Sequence, residues 1–71
     1  PLVGTAYHAA SPDDSPFVNV GDHVTAGQTL LVIEAMKTFN EIPSPRSGTV
    51  TQILFDNATP VEYGDILMVV E

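Results

Sequence analysis

Two stretches of this chain follow one pattern, and that repetition constrains the fold more than any other feature. Val24-Thr25-Ala26-Gly27-Gln28-Thr29-Leu30-Leu31-Val32-Ile33-Glu34 lies over Val61-Glu62-Tyr63-Gly64-Asp65-Ile66-Leu67-Met68-Val69-Val70-Glu71, an offset of 37. Both read Val-x-x-Gly-x-x-Leu, then three apolar residues, then Glu. A second pair, Val3-Gly4-Thr5-Ala6 over Ser47-Gly48-Thr49-Val50, has an offset of 44. Self-similarity of this kind marks a unit used twice. The two halves therefore pack as a pseudo-twofold pair. The offset of 44 exceeds 37 by 7, so the first copy carries seven extra residues. They fall around Ala9–Pro16, which contains Ser11-Pro12-Asp13-Asp14-Ser15-Pro16, and read as a loop inserted in one half only.

Each unit is a set of short strands. Val, Ile, Thr, Phe and Tyr dominate the runs between Gly- and Pro-containing turns. Expected strands are Val3–His8, Thr29–Ile33, Thr38–Ile42, Gly48–Leu54 and Ile66–Val70. Shorter extended pieces lie at Phe17–Val18 and Val61–Glu62. Gly27 and Gly64, at equivalent places, are turn residues that need positive φ. Phe17, Phe39 and Phe55 are expected in the core. The fold class is all-β.

The halves join at Glu34-Ala35-Met36-Lys37-Thr38-Phe39-Asn40. Local propensity favours helix there, since Glu, Ala, Met and Lys are good helix formers. The repeat argues otherwise. Its second copy ends at Glu71, so Glu34 marks a strand end, and Thr38–Ile42 alternates as a strand does. Ala35-Met36-Lys37 is then a tight hairpin tip without Gly, Pro or Asp. A turn that breaks the usual turn chemistry is where a functional constraint is expected.

Composition removes several classes of function. Two Lys and Arg stand against nine Asp and Glu, for a net charge of −7. That leaves no basic footprint for nucleic acid or an anionic membrane. No apolar run reaches the length of a membrane helix. The absence of Cys excludes disulfides, thiolate metal sites and cysteine nucleophiles. His8 and His23 lack ligand spacing, so no metal site is expected. In 71 residues nearly every apolar side chain is committed to one small core, with little left to wall a substrate pocket. A carrier or binding module fits better than a complete enzyme. The chain begins at Pro1 without Met and reads as a fragment or a processed product.

Lys37 is the one lysine, placed at the hairpin tip beside Met36. An apolar Met at a turn tip has no packing reason. Together they suit recognition by a modifying enzyme, with the lysine amine as nucleophile toward an activated acyl group.

Glu34-Ala35-Met36-Lys37 resembles the biotin-attachment motif of biotinyl domains, with Thr38 standing where the family usually has a second Met. The resemblance covers residues 1–71. Pro1–Tyr7 is similar to the family's first strand, Ser47–Val50 to the strand after the hairpin, and Val61–Asp65 to its closing turn. It implies one biotinyl domain with a hammerhead-like fold. That fold is a flattened β-barrel or sandwich of two four-stranded antiparallel sheets. It also implies biotin joined to Lys37, with Ala35 and Met36 read by a biotin protein ligase. The loop Tyr7–Val18 resembles the protruding thumb of the biotin carboxyl carriers of bacterial-type acetyl-CoA carboxylases. That likeness implies contacts from Ala9, Ala10 and Ser11 to the biotin ring. It further implies a non-catalytic carrier between biotin carboxylase and carboxyltransferase. Such a carrier serves malonyl-CoA formation and fatty acid biosynthesis in a bacterial cytoplasm or a plastid. Three rivals stand beside it. One is a lipoyl carrier, which usually has Asp-Lys-Ala at the hairpin. Another is the biotinyl domain of a different carboxylase or decarboxylase, against which the thumb argues. The last is an unmodified β adaptor.

Overall fold

A computed structural model of the chain describes residues 3–71, so the expectation for Pro1 and Leu2 lies outside the described residues. Every regular element in it is a strand: β1 (Val3–Tyr7), β2 (His23–Val24), β3 (Thr29–Ala35), β4 (Thr38–Pro43), β5 (Gly48–Ile53), β6 (Thr59–Glu62) and β7 (Met68–Val70). They form two antiparallel sheets, ordered β4-β3-β1-β6 and β2-β5-β7. Ala6, Val24, Leu31, Val50 and Val61 meet between them as the buried core, with Phe17 and Phe55 packed at its margin. Side chains alternate between the core and the outer face along each strand, but β3 is buried on both, with Leu30, Leu31 and Val32 all covered.

The repeat is expressed in the strand pairing as far as Val50, beyond which a bulge in β5 sets Gln52, not Thr51, opposite Val69. An offset of 44 carries β1 onto β5, and an offset of 37 carries β2 onto β6 and β3 onto β7. Ala6 pairs with Ile33, and its counterpart Val50 pairs with Val70. Gly4 pairs with Val61, and Gly48 with Val24. Thr5 pairs with Glu34. The backbones of Thr49 and Glu71 exchange both hydrogen bonds, at 2.8 and 2.9 Å. Side chains follow the same rule. Tyr7 Oη donates to Glu34 Oε1 at 3.1 Å, and Thr51 Oγ1 donates to Glu71 Oε2 at 3.0 Å. Gly27 and Gly64 both take positive φ, 90° and 98°, as expected. Gly21 (φ 97°) corresponds to Ala58 (φ 63°), and their amides donate to the carbonyls of the equivalent residues Val50 and Ala6. Ala58 thus holds a left-handed conformation that suits glycine because the symmetric ladder requires it there.

Three expectations need adjustment. The second sheet has three strands among the described residues, not four. The sheet order β4-β3-β1-β6 maps onto a vacant place followed by β7-β5-β2. The vacant place belongs to the counterpart of β4. The offset of 44 exceeds the number of β4's last residue, Pro43, so that counterpart has no position within these 71 residues. Phe17–Val18 is not a strand, and the pairing at this point is made by His23–Val24 instead. The last strand is shorter than expected: the turn at Tyr63-Gly64 closes through Asp65 N to Glu62 O at 3.1 Å, and Ile66 and Leu67 run on outside regular structure before β7 starts at Met68.

Candidate functional site

The β3–β4 hairpin closes through two residues. Ala35 pairs with Thr38, and Met36 and Lys37 lie between them with φ of 53° and 65°. Positive φ at both central residues defines the I′ hairpin turn, whose twist matches the strands and which ordinarily selects Asn-Gly. Met36 and Lys37 each bear a Cβ that this region penalises by about 1–2 kcal/mol. Local propensity is overruled because β3 and β4 are locked in register from Leu31–Ile42 to Ala35–Thr38. Lys37 is exposed, and Met36 is 94% exposed. Met36 therefore contributes no core packing. Met36→Gly should leave stability unchanged or raise it by up to about 1 kcal/mol through relief of the left-handed strain. Its modification rate should fall, because the exposed thioether is lost. Melting curves and enzymatic labelling kinetics check both. A loss of several kcal/mol would show that Met36 packs in the fold.

The inserted loop lies against the outer face of the four-stranded sheet. Phe17 N donates to His8 O at 2.9 Å and closes its base. Ser11 Oγ and Asp14 N each bond within the turn Ser11–Asp14, at 2.9 and 3.1 Å. Pro12 and Pro16 further restrict the chain. Between this thumb and the sheet is a groove of about 450 Å³. Ala9, Ala10 and Ser11 form one wall, and Asn57 and Ala58 another; Tyr7, Val32 and Phe39 lie on its sheet side. Val32 is only 5% exposed yet lies outside the core cluster. The groove side of the sheet buries it.

Phe39 corrects the sequence reading. It was expected in the core and is 63% exposed. Ile42 faces inward, so strand parity turns Phe39 outward. Its ring lies 6.4 Å from that of Tyr7 across the groove floor. Tyr7, Asn57 and Ala58 were not anticipated as site residues. Parity along β1 could have found Tyr7, since Ala6 is core. Asn57 and Ala58 come from a distant turn with no local signal. The Tyr7 hydroxyl is held above its ordinary pKa, first by its hydrogen bond to Glu34 and then by desolvation and that carboxylate's charge. It stays protonated and keeps donating to Glu34 through the neutral range.

The structure thus brings Ala9, Ala10 and Ser11 to a groove whose floor includes Phe39, two residues from Lys37 on the same hairpin. Lys37 itself projects beyond the lining. His23 is paired in β2 opposite Thr49, and His8 stacks on Phe55, so the two histidines have separate structural settings.

Residues 1–70 match the biotin–lipoyl family, described as biotin-requiring enzyme. The chain is 57% identical over 68 residues to the biotin carboxyl carrier protein of acetyl-CoA carboxylase of Streptococcus pyogenes, covering 96% of this chain and 41% of that protein. It is 52% identical over 68 residues to the protein of that name from Nostoc sp., covering 96% of this chain and 37% of that one. Over 71 residues it is 44% identical to biotin carboxyl carrier protein of acetyl-CoA carboxylase 1, chloroplastic, of Arabidopsis thaliana, covering all of this chain and 25% of that protein. The chain spans less than half the length of these relatives.

Proposed function

This chain belongs to the biotin–lipoyl family, and from that membership we propose that residues 1–71 are one attachment domain carrying biotin on Lys37 for an acetyl-CoA carboxylase. The observation that carries the reading is a lone lysine held in solvent on a strained two-residue turn, beside a groove built by the inserted loop. The residues fit the group. The tip leaves the amine open to an enzyme, and the groove offers apolar walls with a few polar atoms, as sites for small ligands do.

Lys37 Nζ, once deprotonated, attacks the acyl carbon of biotinyl-adenylate, forms an amide and releases AMP. Ala35 and Met36 present that amine to the ligase. Biotin, when attached, supplies the ring nitrogen that takes up and gives up a carboxyl group; the protein supplies placement. Ala9, Ala10 and Ser11 cover the ring from solvent between visits to biotin carboxylase and carboxyltransferase. Tethering gives a high effective concentration at each station. The net charge of −7 suits docking faces that are basic. The bacterial and chloroplast relatives favour a bacterial cytoplasm or a plastid as the setting.

The test has two stages. Incubation with biotin, ATP and a biotin protein ligase should add one biotinyl group by intact mass. The labelled protein should then support ATP- and bicarbonate-dependent malonyl-CoA formation when mixed with biotin carboxylase and carboxyltransferase. Incorporation of lipoate in place of biotin would transfer the chain to the 2-oxo acid dehydrogenase carriers. Labelling without malonyl-CoA would assign it to another carboxylase.

A further inference from the structure

We propose that His8, Phe55 and Asn57 form a clamp that fixes the thumb over the groove, and are thereby positioning residues for the ring attached at Lys37; this rests on the groove holding that ring. His8 follows β1 and begins the thumb. Its backbone N–H donates to Asn57 Oδ1 at 2.7 Å. Its ring stacks on Phe55 with centroids 4.2 Å apart and planes 11° apart. Its Nε2 lies 3.0 Å from Phe55 O. A carbonyl only accepts, so Nε2 carries the proton. The His8 carbonyl in turn accepts from Phe17 N, where the thumb ends. One residue therefore joins the two ends of the thumb to each other and to Phe55 and the turn that follows it, whose Asn57 and Ala58 form the groove's far wall. The width of the groove is set at this point.

The repeat provides an internal control. Offsets of 44 and 37 map His8 to Gln52, Phe55 to Val18 and Asn57 to Val20. Gln52 and Val18 have no rings to stack, and Val20 has no side-chain acceptor. That half also has no inserted loop. The clamp chemistry occurs only where there is a thumb to hold.

The first readout needs no biotin. Backbone order parameters of Ala9–Asp14 in the unmodified protein should be those of rigid backbone, about 0.85, and should fall below about 0.6 in His8→Ala. The signals of β1, β3 and β4 should be unchanged. His8→Gln, which keeps a donor for Phe55 O, should recover part of the order. Asn57→Ala, at an exposed residue, tests the backbone bond separately and should also loosen the thumb. The second readout is the amide shift change at Ala9–Asp14 on biotinylation, which should drop at least twofold in His8→Ala at equal labelling of Lys37. Unchanged thumb order in both His8→Ala and Asn57→Ala overturns the clamp. A loosened thumb with the full shift change overturns its positioning role. If the wild type shows no shift change on biotinylation but its thumb loosens in the variants, the clamp stands and the groove reading fails.

Discussion

Lys37→Arg should fold like the unsubstituted protein and accept no biotin. The side chain lies in solvent at the hairpin tip, so exchanging ammonium for guanidinium removes no packing and stays within about ±0.5 kcal/mol. The positive φ of 65° is unaffected, since Arg and Lys bear the same Cβ. Chemistry separates them. An amine that gives its proton to a base becomes a nucleophile, whereas a guanidinium keeps its protons and its charge. Attachment turns a cation into a neutral amide, so the net charge of the labelled protein goes from −7 to −8, one cation fewer. The arginine variant should remain at −7. Intact mass and native charge separation read both effects in one experiment. Biotin on the arginine variant would place attachment elsewhere and remove the central claim.

Much of this was legible in the residues. Because a repeated strand order imposes repeated partners, the 37- and 44-residue offsets relate the pairs Ala6–Ile33 to Val50–Val70 and Gly4–Val61 to Gly48–Val24, but they do not give the bulge in β5 that puts Gln52, and not Thr51, opposite Val69. The hairpin tip was legible for the same reason: the copy ending at Glu71 overruled the helical propensity of Glu34–Lys37. Two features were hidden. The groove depends on which face each strand turns outward, and Phe39 was assigned to the core on composition when parity with Ile42 gave the opposite answer. The clamp joins His8 to Phe55 and Asn57 across 47 and 49 positions, and no local pattern connects residues so far apart.

The second large effect concerns Gly4 and Gly48, which occupy equivalent places. A Cβ on Gly4 would lie 2.8 Å from Glu34 O and 2.7 Å from Ile33 Cγ2. On Gly48 it would lie 2.7 Å from Glu71 O and 3.1 Å from Val70 Cγ1. Both carbonyls belong to backbone, so neither can swing aside as a side chain would. Either alanine must push two strands apart, at the cost of about 1–3 kcal/mol usual for overpacking. At 4–8 °C per kcal/mol for a domain of this size, the melting temperature should fall by roughly 8–16 °C for a loss of about 2 kcal/mol. Gly21→Ala is the control. A Cβ there meets nothing within 4 Å, and its counterpart Ala58 already holds positive φ. It should lose only about 1 kcal/mol, from backbone strain alone. The two glycines then part in their effect on the site. Gly4→Ala presses on the carbonyl of Glu34, three residues from Lys37, and should slow biotin attachment at a temperature where the protein is fully folded. Gly48→Ala presses on Glu71, in the other half, and should leave attachment at the unsubstituted rate despite a similar loss of stability. Equal labelling rates for the two variants would show that the tip is indifferent to the ladder beneath it, and that its presentation of Lys37 does not depend on the register of β1 against β3.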